Sequence, residues 1–147
     1  MDASEFFDTV VKRNYEEFTR KPDDFSALWN VIISMHTVAE YLALEQLAYA
    51  ANVSREALGQ TANQIRDKDQ SLIDLKFCAE TLKHVRKIPS APKQKSNTVT
   101  LSSTKPNITV SSTTVSSIDR ATWTIDRHDL VDVAQRAFKA LSALVKL

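Results

Sequence analysis

The chain has 147 residues, about the size of one domain, and 43% of them are hydrophobic, which is enough for one buried core. Its 19 Lys and Arg residues nearly balance its 18 Asp and Glu residues, so the net charge of +1 gives no overall attraction to nucleic acid or to an anionic membrane. Gly59 is the only glycine, which excludes the glycine-rich phosphate loops and dinucleotide-binding turns of the common nucleotide-dependent enzymes.

The cysteine content and the first residues bear on the compartment. Cys78 is the only cysteine, which suits a reducing compartment. The acidic start, Met1 to Glu5, lacks the basic and apolar regions of a signal peptide. Polar residues such as Asn30 and His36 interrupt the most apolar segment, so no membrane span is predicted. We therefore expect a cytoplasmic protein with no membrane association and no cofactor.

Apolar residues at helical spacing predict four helices in the first ninety residues, and each begins at a residue type that caps helices. The second is apolar almost all round, which is typical of a central, buried helix. The predicted ranges are 4–20 with Ser4 as N-cap, 23–51 with Asp23 or Asp24, 54–66 with Ser54, and 69–88 with Asp69 or Ser71.

The segment 96–117 is dominated by Ser and Thr. Apolar and hydroxyl residues alternate along it, which predicts two strands joined by a turn at 105–107, and residues 121–125 add a third strand. The apolar positions predicted to share one face are Val99, Leu101, Ile108 and Val110. A disordered tract is the alternative interpretation.

A last helix is predicted from Asp126 as N-cap to residue 147, with Asp129 in the style of a capping box. The predicted fold is therefore mainly α: a four- to five-helix bundle with a small antiparallel β insertion before the C-terminal helix. We expect a single domain, with the bundle in 1–88, the insertion in 96–125 and the closing helix in 126–147. The long apolar stripe of that helix, together with the apolar second helix, predicts a homodimer or a stable complex with another protein.

His36 and Glu40 lie four residues apart on the second helix, so they share a face. They are either an acid/base pair or part of a buried polar network that fixes the helices. A buried carboxylate needs a cation, so Glu40 is expected to pair with one from another helix, and the candidates are Arg66, Lys83 and His84. Removing Glu40 would then leave a buried cation unpaired, at a cost of about 3–5 kcal/mol. The predicted structural network consists of Asn30, Glu40, Arg66, Lys83 and His84. Glu80 and His84 share the same spacing, but too few further ligands are present to predict a metal site.

One basic cluster follows, and its proposed RNA-binding residues are Lys83, Arg86 and Lys87. The alternative interpretation is a helix end stabilised by cations and followed by a solvated linker. No aromatic residue lies among them, so stacking on bases is not indicated.

The first ninety residues resemble a family of small uncharacterised bacterial proteins of the HEPN superfamily, helical bundles found among ribonucleases, toxins and their accessory partners. The residues that carry the resemblance are Phe7, Val11, Asn14, Phe18, Ala27 to Asn30, Ser34, His36, Glu40, Tyr41, Arg66, Lys83 and His84.

The resemblance implies dimerisation through the bundle and, in active members, metal-independent RNA cleavage by an arginine and a histidine with four to six residues between them. No arginine here has a histidine at that spacing, and Trp29 stands where the arginine is wanted before His36. We therefore expect a non-catalytic binding or accessory module, and the resemblance implies a bacterial defence or toxin–antitoxin system as its setting. The alternative is a ribonuclease with a rearranged site, whose catalytic residues would be His36, Glu40, Lys83 and His84.

Overall fold

The computed structural model describes residues 1–48, 52–84, 98–101, 108–115 and 118–146, and for 98–122 it describes the backbone alone. These residues form five helices and a four-stranded antiparallel sheet, inserted before the last helix. The mainly α fold predicted from the sequence is confirmed.

Helix α1 has three consecutive parts. It is α-helical over Ala3–Phe6, π-helical over Phe7–Val11 and α-helical again over Lys12–Arg20. Its N-cap is Asp2, whose carboxylate accepts a hydrogen bond from the Glu5 N–H at 2.7 Å. The prediction of Ser4 as the cap was wrong, because Asp2 satisfies the free N–H groups first and the helix begins two residues earlier.

Helix α2, Phe25–Leu47, is the central helix and contacts all four other helices. Its N-cap is Asp24, one of the two residues predicted to cap this helix. The described helix ends at Leu47, and its predicted end at residue 51 lies outside the described residues. By length and composition alone, α2 is apolar enough to cross a membrane. Its apolar surface is largely buried inside the protein, however, as in the core helix of a globular domain.

Two shorter helices pack against α2. Helix α3, Arg55–Arg66, begins at the predicted Ser54 cap. Helix α4, Gln70–Lys83, begins after Asp69, whose carboxylate accepts hydrogen bonds from both the N–H and the hydroxyl of Ser71. The predicted continuation of α4 to residue 88 lies outside the described residues.

The sheet contains β1 (Thr98–Leu101), β2 (Ile108–Val115), β3 (Ile118–Ile125) and β4 (His128–Asp129), in that spatial order. In the register, Val99 pairs with Val110 and Leu101 with Ile108, so the predicted apolar positions are cross-strand partners. β3 begins earlier than predicted, and β4 was not predicted at all because two residues leave no alternating pattern. The predicted turn at 105–107 lies outside the described residues.

Helix α5, Leu130–Leu144, closes the bundle. Its N-cap is Asp129, which accepts from the N–H groups of Val131 and Asp132. The prediction of Asp126 as the cap was wrong: Asp126 has φ +51° in the turn between β3 and β4, a conformation that aspartate tolerates better than most residues. The β4 strand thus occupies the place predicted for the first helical turn.

The apolar stripe of α5 and the apolar surface of α2 meet in one main core, where the buried residues of α5 are inaccessible to solvent. Much of the apolar surface from which association was predicted is therefore covered within one chain, although Leu44 of α2 is 45% exposed. The predicted association stays a prediction.

Candidate functional site

His36 lies on the inner side of α2 and is only 4% exposed. Burial lowers its pKa to about 3, and the positive charges of Arg66, Lys83 and Lys76 act in the same direction. Within the described part of the chain its Nδ1 has no hydrogen-bond partner. The imidazole is therefore shielded from solvent and neutral at physiological pH.

Arg66, the last residue of α3, is the buried cation beside His36. One guanidinium nitrogen donates to the backbone carbonyl of His36 at 3.2 Å, and another donates to Oδ1 of Asn63 at 3.2 Å. Burial lowers the pKa of Arg66, while the negative charges of Glu40 and Glu80 act to raise it. Arg66 therefore ties the end of α3 to the middle of α2.

Glu40 is the acidic partner of this arginine. Its Oε1 lies 3.7 Å from a guanidinium nitrogen of Arg66, which is an ion pair but too long for a strong hydrogen bond. The two side chains differ in their surroundings, since Glu40 is 47% exposed and Arg66 only 7%. The pair thus lies at the edge of the α2–α3 contact, with the carboxylate in contact with water.

The other predicted site residues do not join this pair. Lys83 and His84 are exposed at the end of α4, and among the described residues neither contacts Glu40. The positive charge of Lys83 is near enough to His36 to contribute to the lowering of the pKa of His36. Arg86 and Lys87 lie outside the described residues.

Asn30 belongs to a separate polar contact. Nδ2 of Asn14 donates to the backbone carbonyl of Asn30 at 3.3 Å and to the hydroxyl of Ser34 at 3.1 Å, which ties α1 to α2. Of the five residues in the predicted network, Glu40 therefore pairs with Arg66, Asn30 belongs to a separate contact, and Lys83 and His84 join neither among the described residues. Sequence reasoning missed the partners Asn63 and Ser34, although a polar Asn14 within an apolar stripe is a signal of such a contact.

Neither a reactive thiol nor a metal centre is indicated in the described residues. Cys78 is fully buried, and burial, with a further contribution from Asp74, raises its pKa to about 12, so the thiolate that reacts and binds metals does not form. No group of three His, Cys, Asp or Glu side chains in the described ranges could hold a metal ion.

Comparisons with known proteins add no further constraint: no family model matches the chain, and no curated protein and no solved structure is detectably similar to it. The resemblance to HEPN proteins stays a prediction.

Replacing Glu40 with Gln is expected to lower the free energy of unfolding by about 0.5–1.5 kcal/mol, less than the value expected for a buried pair. The half-exposed carboxylate is screened by water, and Arg66 keeps its two neutral acceptors. Urea denaturation of the wild type, Glu40→Gln, Arg66→Met and the double variant measures the coupling between the two side chains. A coupling energy near zero, or one above about 3 kcal/mol, would contradict this geometry.

Proposed function

We propose that this chain is a non-catalytic helical module, of the kind found among HEPN-like accessory proteins, that acts by binding another protein. The observation that carries the proposal is the burial of His36 as a neutral side chain, in a segment of α2 whose backbone Arg66 binds.

An acid/base catalyst must exchange protons with a bound substrate, and it works best when its pKa lies near the pH of the reaction. His36 meets neither condition, because its ring is buried and its pKa is lowered to about 3. The lowered pKa instead suits a structural role, in which a neutral ring fills the space between α2 and its neighbours.

RNA cleavage also needs a cation placed to stabilise the charge that develops on the phosphate. Arg66 is buried, and its guanidinium is engaged by the His36 carbonyl, Asn63 and Glu40. Lys83 is exposed and could attract a phosphate, but it lies beside a histidine that solvent hardly reaches. The ribonuclease alternative therefore has less support than the binding module.

The purified protein is expected not to cleave a fluorescently labelled single-stranded RNA above the background of a matched His36→Asn variant, in the absence of divalent ions. The reason is that His36 has no access to substrate and no titration near neutral pH. Circular dichroism confirms that both proteins are folded. Cleavage by the wild type that His36→Asn and Lys83→Ala each abolish, with the fold retained, would overturn the proposal in favour of a ribonuclease.

A further inference from the structure

Helix α3 is held on α2 by a small apolar contact. Its buried apolar residues, Ala62 and Ile65, form a cluster with Ala39 and Ala43 of α2. Within the described part of the chain this cluster is separate from the main core, to which α3 contributes no residue. Three of the four members are alanines, so little apolar area leaves water when the two helices meet. A unit with so few buried contacts can open while the main core stays folded.

The glycine of α3 weakens the helix further. Gly59 has no positive φ, and a Cβ at its position would meet nothing within 4 Å. Neither the backbone nor the packing of the described residues therefore requires a glycine here. Because glycine in a helix interior loses more backbone freedom on folding than alanine does, Gly59 lowers the stability of α3 without adding a contact.

Arg66 fastens the end of α3 to α2. Its guanidinium donates to the backbone carbonyl of His36 at 3.2 Å and lies 3.7 Å from the carboxylate of Glu40. Both of these partners belong to α2, whereas the bond to Asn63 stays within α3. Movement of α3 away from α2 therefore breaks both bridges together.

His36 lies on the stripe of α2 that α3 covers. Ala39, Glu40 and Ala43 follow it three, four and seven residues later, which places all four on one helix face. His36 is 4% exposed, and its Nδ1 has no hydrogen-bond partner among the described residues. Departure of α3 would give this ring to water, which supplies the missing hydrogen bond.

The surroundings of His36 oppose a proton on its ring while α3 is in place. Burial lowers the pKa of His36 to about 3, and the nearby charges that act on it are all positive. These charges come from α3 and α4, and belong to Arg66, Lys83 and Lys76. The carboxylates of Glu40 on α2 and Glu80 on α4 act on Arg66 instead. When α3 leaves, much of the burial and the nearest positive charge leave with it.

We propose that α3 is a pH-sensitive flap, which leaves α2 and unwinds as a unit while the main core stays folded, and which protonation of His36 favours in its open form. A free helix of 12 residues is barely stable in water, so α3 unwinds once it has left α2. The open form uncovers the stripe of small residues on α2. Above pH 6.5 the flap is closed, and below it each further drop in pH favours opening.

Amide hydrogen exchange of the wild type at pH 7.5 and pH 5, corrected for the intrinsic rate at each pH, tests the flap. The amides of α3 are expected to be at least roughly tenfold less protected than those of α5, which lies in the main core. Their protection should also fall roughly thirtyfold between the two pH values, because the open form binds a proton that the closed form excludes. Equal protection of α3 and α5, or protection of α3 that does not change with pH, would overturn the proposal.

Two variants identify the residues responsible. His36→Met should reduce the fall in α3 protection between pH 7.5 and pH 5 to less than about threefold, because it carries no proton in either form. Gly59→Ala should raise α3 protection roughly two- to fivefold at both pH values and leave their ratio unchanged. Gln60→Ala, which places the same residue at an exposed neighbouring position, is the matched control and should change protection less than about twofold.

Each variant can contradict the flap. A thirtyfold fall that persists in a folded His36→Met would show that another group drives the opening. Unchanged α3 protection in Gly59→Ala would show that α3 does not unwind when it opens. The measurement involves neither a partner protein nor RNA, so its outcome is independent of the proposed function.

Discussion

Replacing Trp123 with alanine is expected to lower the free energy of unfolding by about 3–5 kcal/mol, the largest effect of any single substitution considered. The indole is fully buried, packs at 5.2 Å against the Phe25 ring, and donates from Nε1 to the backbone carbonyl of Pro22 at 3.0 Å. It therefore joins β3 to the connection between α1 and α2. Urea denaturation, followed by circular dichroism of the helices, measures the loss.

Trp123→Phe is the matched control, since it keeps an aromatic ring in the core but removes the hydrogen-bond donor. The Pro22 carbonyl then loses this donor, for a cost of about 1–3 kcal/mol. If Trp123→Ala unfolds at the wild-type urea concentration, the sheet is not packed on the bundle in solution, and the arrangement of β3 described above is incorrect.

The helices could be predicted because their signals are local. A capping side chain needs only the two or three residues that follow it, so Asp24, Ser54 and Asp69 mark helix starts in the sequence as they do in the structure. The same rule failed at Asp126, because Asp129 is an equally good cap and pairing of β4 with β3 decides between them. A choice made by strand pairing is not visible in a local pattern.

The π-helical turn in α1 was not predicted for a related reason. A single wider turn shifts every later residue round the helix, and tertiary packing rather than intrinsic propensity decides whether it forms. Phe7 and Val11 are both buried across this turn, and Asn14 beyond it reaches Asn30 and Ser34 of α2. A π-helical turn is only about one residue wider than an α-helical turn, so the spacing of apolar residues in the sequence does not distinguish the two.

The candidate site was predictable in its members but not in its grouping. A carboxylate on an apolar helix demands a cation, and that argument named Arg66 among three candidates for Glu40. Lys83 and His84 were equally plausible from the sequence, since the rotation of α4 about its own axis depends on which face enters the core. Leu75, Ala79 and Leu82 take the inward positions, and the two basic residues at the helix end are left exposed.

Lowering the pH from about 7.5 to about 5 is expected to reduce the stability of the folded state by about 2 kcal/mol through His36 alone. Its pKa is lowered to about 3 by burial in the folded protein, whereas in the unfolded chain it returns to its ordinary value of 6.5. Below pH 6.5 the unfolded chain therefore binds a proton that the folded protein does not, and each further drop in pH favours unfolding. The stabilisation is complete above pH 6.5 and declines continuously towards pH 3.

Urea denaturation at several pH values in this window measures the slope, before most carboxylates take up protons. The variant His36→Met carries no titrating group, so its stability should change with pH by about 2 kcal/mol less than that of the wild type, whatever its absolute value. His84→Gln is the matched control, because it removes a histidine that is exposed at the end of α4 instead of the buried one. If His36→Met and the wild type lose stability in parallel, His36 binds a proton as readily in the folded protein as in the unfolded chain. His36 would then again be a candidate acid/base catalyst.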